Sequence, residues 1–364
     1  MSAAPEPPPS IDPPRVKRFH DALEELGYDG LLRGVRGSYP LAPFPPYEEF
    51  RRRARALPER ERAWFELLLL GRSLPDEAVT EHLGAPLRDD LLALGMLRRQ
   101  GRRLHTPGLG LTSYDGRYAF ASLPLDYPTV RDREQRAYIG PETYLLARFL
   151  SPARGIRALD LCSGSGLLAI LMAGTAESVL AVDIDPVSVA VGSFNVELNG
   201  LGGRVETRRG DLWEPVGGER FGQIAFNAPF VPTPEGYPRI WFRDGGSDGL
   251  MVLGPLLDGL RDHLAPGGTA FAYIEAFGDL ERPFLVGHLE QVARKHRLAI
   301  DVLLLFRLAI SRVLKLAGRS RAIPRSEYRR LAKEQGATRY YRAILRARPG
   351  SAAVRVIDVG RYVR

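Results

Sequence analysis

The sequence predicts an α/β fold, a doubly wound, Rossmann-like sheet of seven strands preceded by an N-terminal helical, winged-helix-like domain, and three observations predict it. From Tyr138 onward, strand-like runs alternate with helical ones as in a βαβ series. The first of these runs leads into a turn holding Gly164 and Gly166 and then into an apolar helical run, so a ligand can lie against a helix N-terminus. Before Tyr138, apolar residues recur mainly at helical spacing.

Taken in order, residues 1–14 are Pro-rich, with acid before base, and read as a disordered tail without signal-peptide order. Residues 15–137 form the front domain, with helices over 16–26, 46–57 and 59–70. Residues 74–83 and 87–94 are two short helices, and 96–105 is a hairpin turning at Gln100-Gly101, which together resemble a winged helix. Its wing carries Arg98, Arg99, Arg102 and Arg103, which suit phosphates, but Arg88, Asp89 and Asp90 make the second helix a poor fit for a major groove. A dimerisation or substrate-lid module is the stronger reading, so a homodimer stays open. Residues 109–129 are a strand-rich connector.

The second domain, 138–364, has strands at 157–162, 178–184, 204–211, 223–227, 269–276, 300–305 and 340–346. A basic insertion at 314–338, helical over 326–334, separates the last two.

With 364 residues, 45% hydrophobic and 26% charged, the chain holds about two domains and is neither disordered nor collagenous. One cysteine, Cys162, makes no internal disulfide, and the scattered His20, His82, His105, His263, His288 and His296 imply no metal site. The longest apolar stretch, 299–316, is broken by Asp301, Arg307, Arg312 and Lys315, so no membrane span is expected and a cytoplasmic protein is. The net charge of +8 is local: 13 basic residues lie within 303–348 against Glu327 and Glu334, and the remainder is net acidic.

The glycine turn admits two cofactor classes. Gly164-x-Gly166-x-x-Ala169 fits a dinucleotide fingerprint, with Asp183 spaced to hold ribose hydroxyls. Asp160 at the end of the first strand would repel a pyrophosphate but suits an ammonium and a sulfonium, which favours S-adenosyl-L-methionine over NAD. Asp185 caps the helix opened by Pro186, leaving Asp183 for both ribose hydroxyls beside Ile184. Asp211 and Leu212 stand where an adenine edge and face would lie.

Over about residues 138–310 the sequence resembles class I S-adenosylmethionine-dependent methyltransferases. The segment from Asp160 to Gly166 resembles their motif I, with Cys162 replacing its usual first glycine, and Asp183 and Asp211 fall at the ribose and adenine positions. Phe226-Asn-Ala-Pro-Phe230 resembles the Asn-Pro-Pro-Tyr/Phe motif of enzymes that methylate amino or amide nitrogens, with Ala228 in place of its first proline. Ile139-Gly-Pro-Glu-Thr-Tyr144 and the segment from Asp244 to Leu250 are similar to segments of HemK-type protein-glutamine N5-methyltransferases.

The resemblance implies that Asn227, through its side-chain carbonyl, and Ala228, through its backbone carbonyl, accept the two N–H bonds of a planar amino group while Phe230 lies on that group. Tyr138, Glu142, Tyr237, Trp241 and Asp244 are candidate substrate residues, although Tyr237 and Trp241 equally suit a cover for the sheet edge. The longer front domain and the basic insertion depart from the HemK pattern. They favour a small-molecule acceptor of specialised metabolism, anionic or carrier-bound, met by Arg312, Arg319, Arg321 and Arg325. The alternatives are a protein glutamine or an RNA base as acceptor, a non-catalytic cofactor-binding regulator and, more distantly, an NAD-dependent dehydrogenase.

Overall fold

The computed structural model describes residues 11–37, 43–44, 46–124, 127–128, 136–152, 154–237, 240–317 and 324–360, without the side chains of 314–317. Most of the expected tail, and Arg319 and Arg321 of the insertion, lie outside the described residues. The chain divides into two compact units, one of residues 1–144, 163–174 and 178–209, the other of 145–162, 175–177 and 210–364.

In the first unit α1 (Pro13–Leu26) starts where Asp12 accepts the Arg15 N–H, and it ends at Gly27, whose φ of 66° turns the chain into α2 (Tyr28–Arg36). Next come α3 (Tyr47–Ala54) and α4 (Glu59–Trp64), which runs on as a π-turn over Phe65–Leu69. Then β1 (Leu74–Pro75), α5 (Asp76–Leu83), α6 (Ala85–Ala93), β2 (Arg98–Gln100) and β3 (Arg103–His105) follow in winged-helix order, with strands ordered β1–β3–β2.

The wing is not a free basic comb, because Arg99 is bound to Asp76 and Arg103 to Ser73. Asp90 of α6 is 6% exposed and takes both Arg18 hydrogen bonds, at 2.7 and 2.9 Å, so this face of α6 is committed to α1. The expected connector is a hairpin of β4 (Leu109–Tyr114) and β5 (Arg117–Ser122).

The same unit contains α8 (Leu167–Met172), the parallel pair β7 (Ser178–Asp183) and β8 (Val205–Arg209), and α9 (Pro186–Leu198). Val187, Val191, Phe194 and Leu198 of α9 share one core with Phe19, Tyr28, Trp64, Phe65 and Phe120 of the front domain. That common core is why the compact units do not part at 137/138.

In the second unit β6 (Arg157–Leu161), β9 (Phe221–Phe226), β10 (Leu264–Gly278), β11 (Leu298–Ala309), β12 (Arg339–Pro349) and β13 (Val354–Asp358) are ordered β13–β11–β12–β10–β9–β6. β6, β9 and β10 are parallel, and β12 runs antiparallel to both β10 and β11. The helices are α10 (Leu253–His263), α11 (Leu285–His296), α12 (Ile310–Ala317) and α13 (Arg325–Glu334), while α7 (Pro141–Ala147) leads toward β6.

The fold class is α/β and Rossmann-like, and all seven expected strands are present. The eighth, β13, escaped the sequence reading because four of its five residues are exposed, so it has no buried face to impose alternation. No helix among the described residues is long and apolar enough to cross a membrane.

Candidate functional site

In the first unit Gly164 (φ 54°) and Gly166 (φ 76°) occupy the left-handed region that L side chains avoid. A Cβ on Gly164 would lie 3.3 Å from the Tyr138 carbonyl oxygen, and one on Gly166 would lie 3.4 Å from the Gly192 Cα. Asp183, ending β7, accepts the Gly164 N–H at 2.8 Å on Oδ2 and the Asp185 N–H at 2.9 Å on Oδ1. Burial pushes its carboxyl above the usual range, and the Asp185 and Gly164 N–H groups only partly oppose that shift. Each oxygen keeps acceptor capacity for one of two vicinal hydroxyls. The neighbouring Ile184 is 45% exposed and offers an apolar surface to a flat ring.

Asp185 caps α9 through the Ser188 N–H at 2.8 Å and pairs with Arg136 at 2.9 Å, while the Ala137 N–H reaches Ser188 Oγ at 2.9 Å. These bonds pin the segment after residue 136, where the Glu142 carboxylate and Tyr138 hydroxyl both fill the space a Cβ on Gly140 would need. Tyr138, Glu142, Gly164, Gly166 and Asp183 are therefore brought together. The sequence reading missed Arg136, Ser188 and Asn195. Asn195 had one legible signal, a polar residue among the apolar residues of α9, and it donates to the Ser165 carbonyl between the two glycines at 2.8 Å.

In the second unit Asp160 is fully buried on β6, opposite Ala225 of β9, and Leu161 is opposite Phe226. Cys162 and Asn227 therefore leave adjacent strands at the same level. Cys162 (φ 56°) and Leu212 (φ 46°) both hold left-handed backbone, a conformation disfavoured for side-chain-bearing residues by roughly 1–2 kcal/mol. Asp211 is exposed.

After Asn227 the chain is clamped. The Val231 N–H bonds the Arg243 carbonyl at 2.9 Å, Gly245 N–H the Val231 carbonyl at 3.0 Å, and Thr233 N–H the Gly246 carbonyl at 2.8 Å. Gly245 and Gly249 are required here, since added Cβ atoms would lie 2.7 Å from the Phe230 carbonyl carbon and 2.6 Å from its oxygen. Ala228 and Phe230 are buried, and the Phe230 ring lies 5.2 Å from that of Tyr273. Behind it, the Tyr273 hydroxyl donates to Glu275 at 2.8 Å, and Glu275 pairs with Arg342 at 2.8 Å.

Asp244 is 6% exposed, and its Oδ1 has no hydrogen-bond partner among the described residues. Tyr237 packs into a cluster with Phe277, Tyr340 and Tyr328 of α13. Arg243 donates to the Tyr328 hydroxyl at 3.4 Å, so the helix of the basic insertion braces the clamp. Trp241 covers no edge, being 62% exposed. Tyr273, Glu275, Arg243 and Tyr328 carried no sequence signal, because Tyr273 meets Phe230, Glu275 meets Arg342 and Arg243 meets Tyr328 only across long stretches of chain.

Residues 136–299 match the family model of the methyltransferase small domain. The chain is 42% identical over 123 residues to the ribosomal protein uL3 glutamine methyltransferase of Bradyrhizobium diazoefficiens, covering 31% of this chain and 38% of that protein. It is 31% identical over 131 residues to the release factor glutamine methyltransferase of Gloeobacter violaceus, covering 33% and 46%. Thus the matches span less than half the length of either relative. Among solved structures, the ribosomal protein L11 methylase of Lactobacillus delbrueckii superposes with a TM-score of 0.37 at 18% identity, covering 59% of this chain and 81% of that one.

Proposed function

Since residues 136–299 match the methyltransferase small domain, we propose that the chain is a class I S-adenosylmethionine-dependent methyltransferase and transfers a methyl group to a planar carboxamide nitrogen, that of a protein glutamine. The observation that carries the reading is the clamped Asn227-Ala-Pro-Phe230 turn at the end of β9, beside the strand carrying Asp160. The two relatives described above are named as glutamine methyltransferases, which supports a protein acceptor over the small molecule favoured by the insertion alone.

The residues suit the cofactor. Asp183 has acceptor capacity for two hydroxyls, Ile184 an apolar face, Gly164 and Gly166 a left-handed turn, and Asp160 a carboxyl group suited to an ammonium. Cys162, Asp211 and Leu212 complete the assigned set. When bound, S-adenosyl-L-methionine supplies an electrophilic methyl group on a sulfonium.

The chain's own residues orient the nucleophile. The Asn227 side-chain carbonyl and the Ala228 backbone carbonyl accept the two N–H bonds of the carboxamide, which fixes its plane, and Phe230 covers that plane and excludes water. The nitrogen, cationic once methylated, gives one N–H proton to solvent water as the product leaves the turn, so no strong base is required of the turn. Tyr138, Glu142, Tyr237 and Asp244 contribute to the acceptor's surroundings, whereas solvent-facing Trp241 suits contact with a large acceptor's surface.

The test is transfer of a labelled methyl group from S-adenosyl-L-methionine to purified uL3 and release factor, with the modified residue located by mass spectrometry. Label on glutamine, lost in Asn227→Ala while cofactor binding persists, is the expected result. Label only on small-molecule amines, or loss of cofactor binding together with activity, would overturn the acceptor assignment or the role of Asn227.

A further inference from the structure

Three neighbouring strands of the second unit carry a charge cluster that methyl transfer does not use. Asp301 on β11 stands opposite Arg346 of β12 and opposite Arg355 of β13. Its side chain is 2% exposed. One oxygen, Oδ2, takes Arg346 at 2.7 and 3.0 Å and Arg348 at 3.3 Å, while Oδ1 takes Arg355 at 2.6 and 2.7 Å. Three guanidiniums therefore meet on one carboxylate, leaving a local charge of +2. Their outer parts reach solvent, with side-chain exposures of 37%, 40% and 59% for Arg346, Arg348 and Arg355.

A buried carboxylate needs charge compensation, but one well-placed guanidinium supplies it. The second and third are surplus to that need. What they create is a set of planar donor forks oriented by Asp301 and, among the described residues, still holding free N–H groups, since each guanidinium carries five and Asp301 engages one or two of them. The surplus matches an oxyanion of charge about −2 with three or more acceptor oxygens, as a phosphate offers, better than a carboxylate with one charge and two oxygens.

We propose that Arg346, Arg348 and Arg355, organised by Asp301, form a phosphate-binding site on the β11–β12–β13 face. The phosphate comes either from an RNA backbone or from a free phosphorylated small molecule. The proposal is independent of the acceptor assigned above, because none of these residues belongs to the clamped turn.

The experiment uses the full chain. Binding of a fluorescein-labelled single-stranded RNA 12-mer is followed by anisotropy at several salt concentrations, and binding of pyrophosphate by calorimetry. Wild type is compared with Arg348→Gln, Arg355→Gln and the double variant, whose folding is checked by melting temperature and by unchanged S-adenosyl-L-methionine affinity. RNA binding weakened about tenfold in the double variant, with a shallower salt dependence and competition by pyrophosphate, would establish the site and its RNA source. Pyrophosphate binding lost in the double variant, without RNA binding, would establish the site for a small phosphorylated ligand. If neither probe binds, if the double variant binds both as wild type does, or if polyglutamate binds as tightly as RNA, the proposal is overturned.

Discussion

Asn195 pairs with Phe120 as a neighbouring strand would: its Oδ1 accepts the Phe120 N–H at 2.8 Å and its Nδ2 donates to the Phe120 carbonyl at 2.9 Å. Asn199, one turn on, repeats the pattern with Tyr118 at 3.0 and 2.7 Å. The match is geometric, since four residues of helix rise about 6 Å and two residues of strand about 6.7 Å. The edge of β5 is thus satisfied by a helix, and Asn195 also holds Ser165 in the glycine turn.

Replacing Asn195 with alanine leaves buried backbone groups of Phe120 and Ser165 without partners. Each such group costs about 1–3 kcal/mol, so Asn195→Ala is expected to lower the stability of the first unit by roughly 3 kcal/mol, read as a lower urea midpoint. It is also expected to weaken S-adenosyl-L-methionine binding, whereas a substitution at exposed Arg60 would do neither.

Asp183 gives a pH dependence with two opposite signs. Its native pKa is raised, mainly by burial. Between the ordinary aspartate range and that raised value the native state binds more protons than the unfolded one, so the contribution of Asp183 to stability declines as pH rises through the window. Ribose binding needs the carboxylate, so cofactor affinity should decline as pH falls through the same window. Calorimetric titrations across pH should show this, and Asp183→Asn should bind weakly at every pH.

Asp301 behaves in the reverse sense. Burial alone would raise its pKa, but the hydrogen bonds from Arg346 and Arg355 outweigh it and the net shift is downward. Its stabilisation is therefore present above the unfolded aspartate pKa and lost as acid brings pH down through the lower native value. Asp301→Ala should cost about 2 kcal/mol at neutral pH, because three partly hydrated guanidiniums lose their shared anion. Thermal melts at neutral and acid pH would show the difference between wild type and variant shrinking in acid.

Gly249 is held at a φ of 81° with no room for a side chain against Phe230. Gly249→Ala should displace the Phe230 carbonyl and loosen the clamp, lowering kcat about tenfold or more while cofactor affinity stays near wild type. Single-turnover methyl transfer beside a binding titration separates the two, and equal loss in both would place Gly249 in cofactor binding instead.

Much of this protein was legible in its sequence. The seven strands and most helices announce themselves because burial of one face imposes a period on side-chain type, and the glycine turn and the Asn227 turn are local patterns whose chemistry depends on neighbouring residues. Asp185 as the cap of α9 was readable for the same reason, since it acts on Ser188 three residues away.

Only the tertiary structure decided the rest. Asn195 meets Phe120 across 75 residues and Asp301 meets Arg346 across 45, and nothing periodic relates such positions. β13, mostly solvent-exposed, has no buried face to reveal it, and α9 joins the front-domain core because Phe194 and Leu198 pack there rather than through any local signal. Periodicity records which face is buried, while polar partnership depends on what the fold places opposite that face.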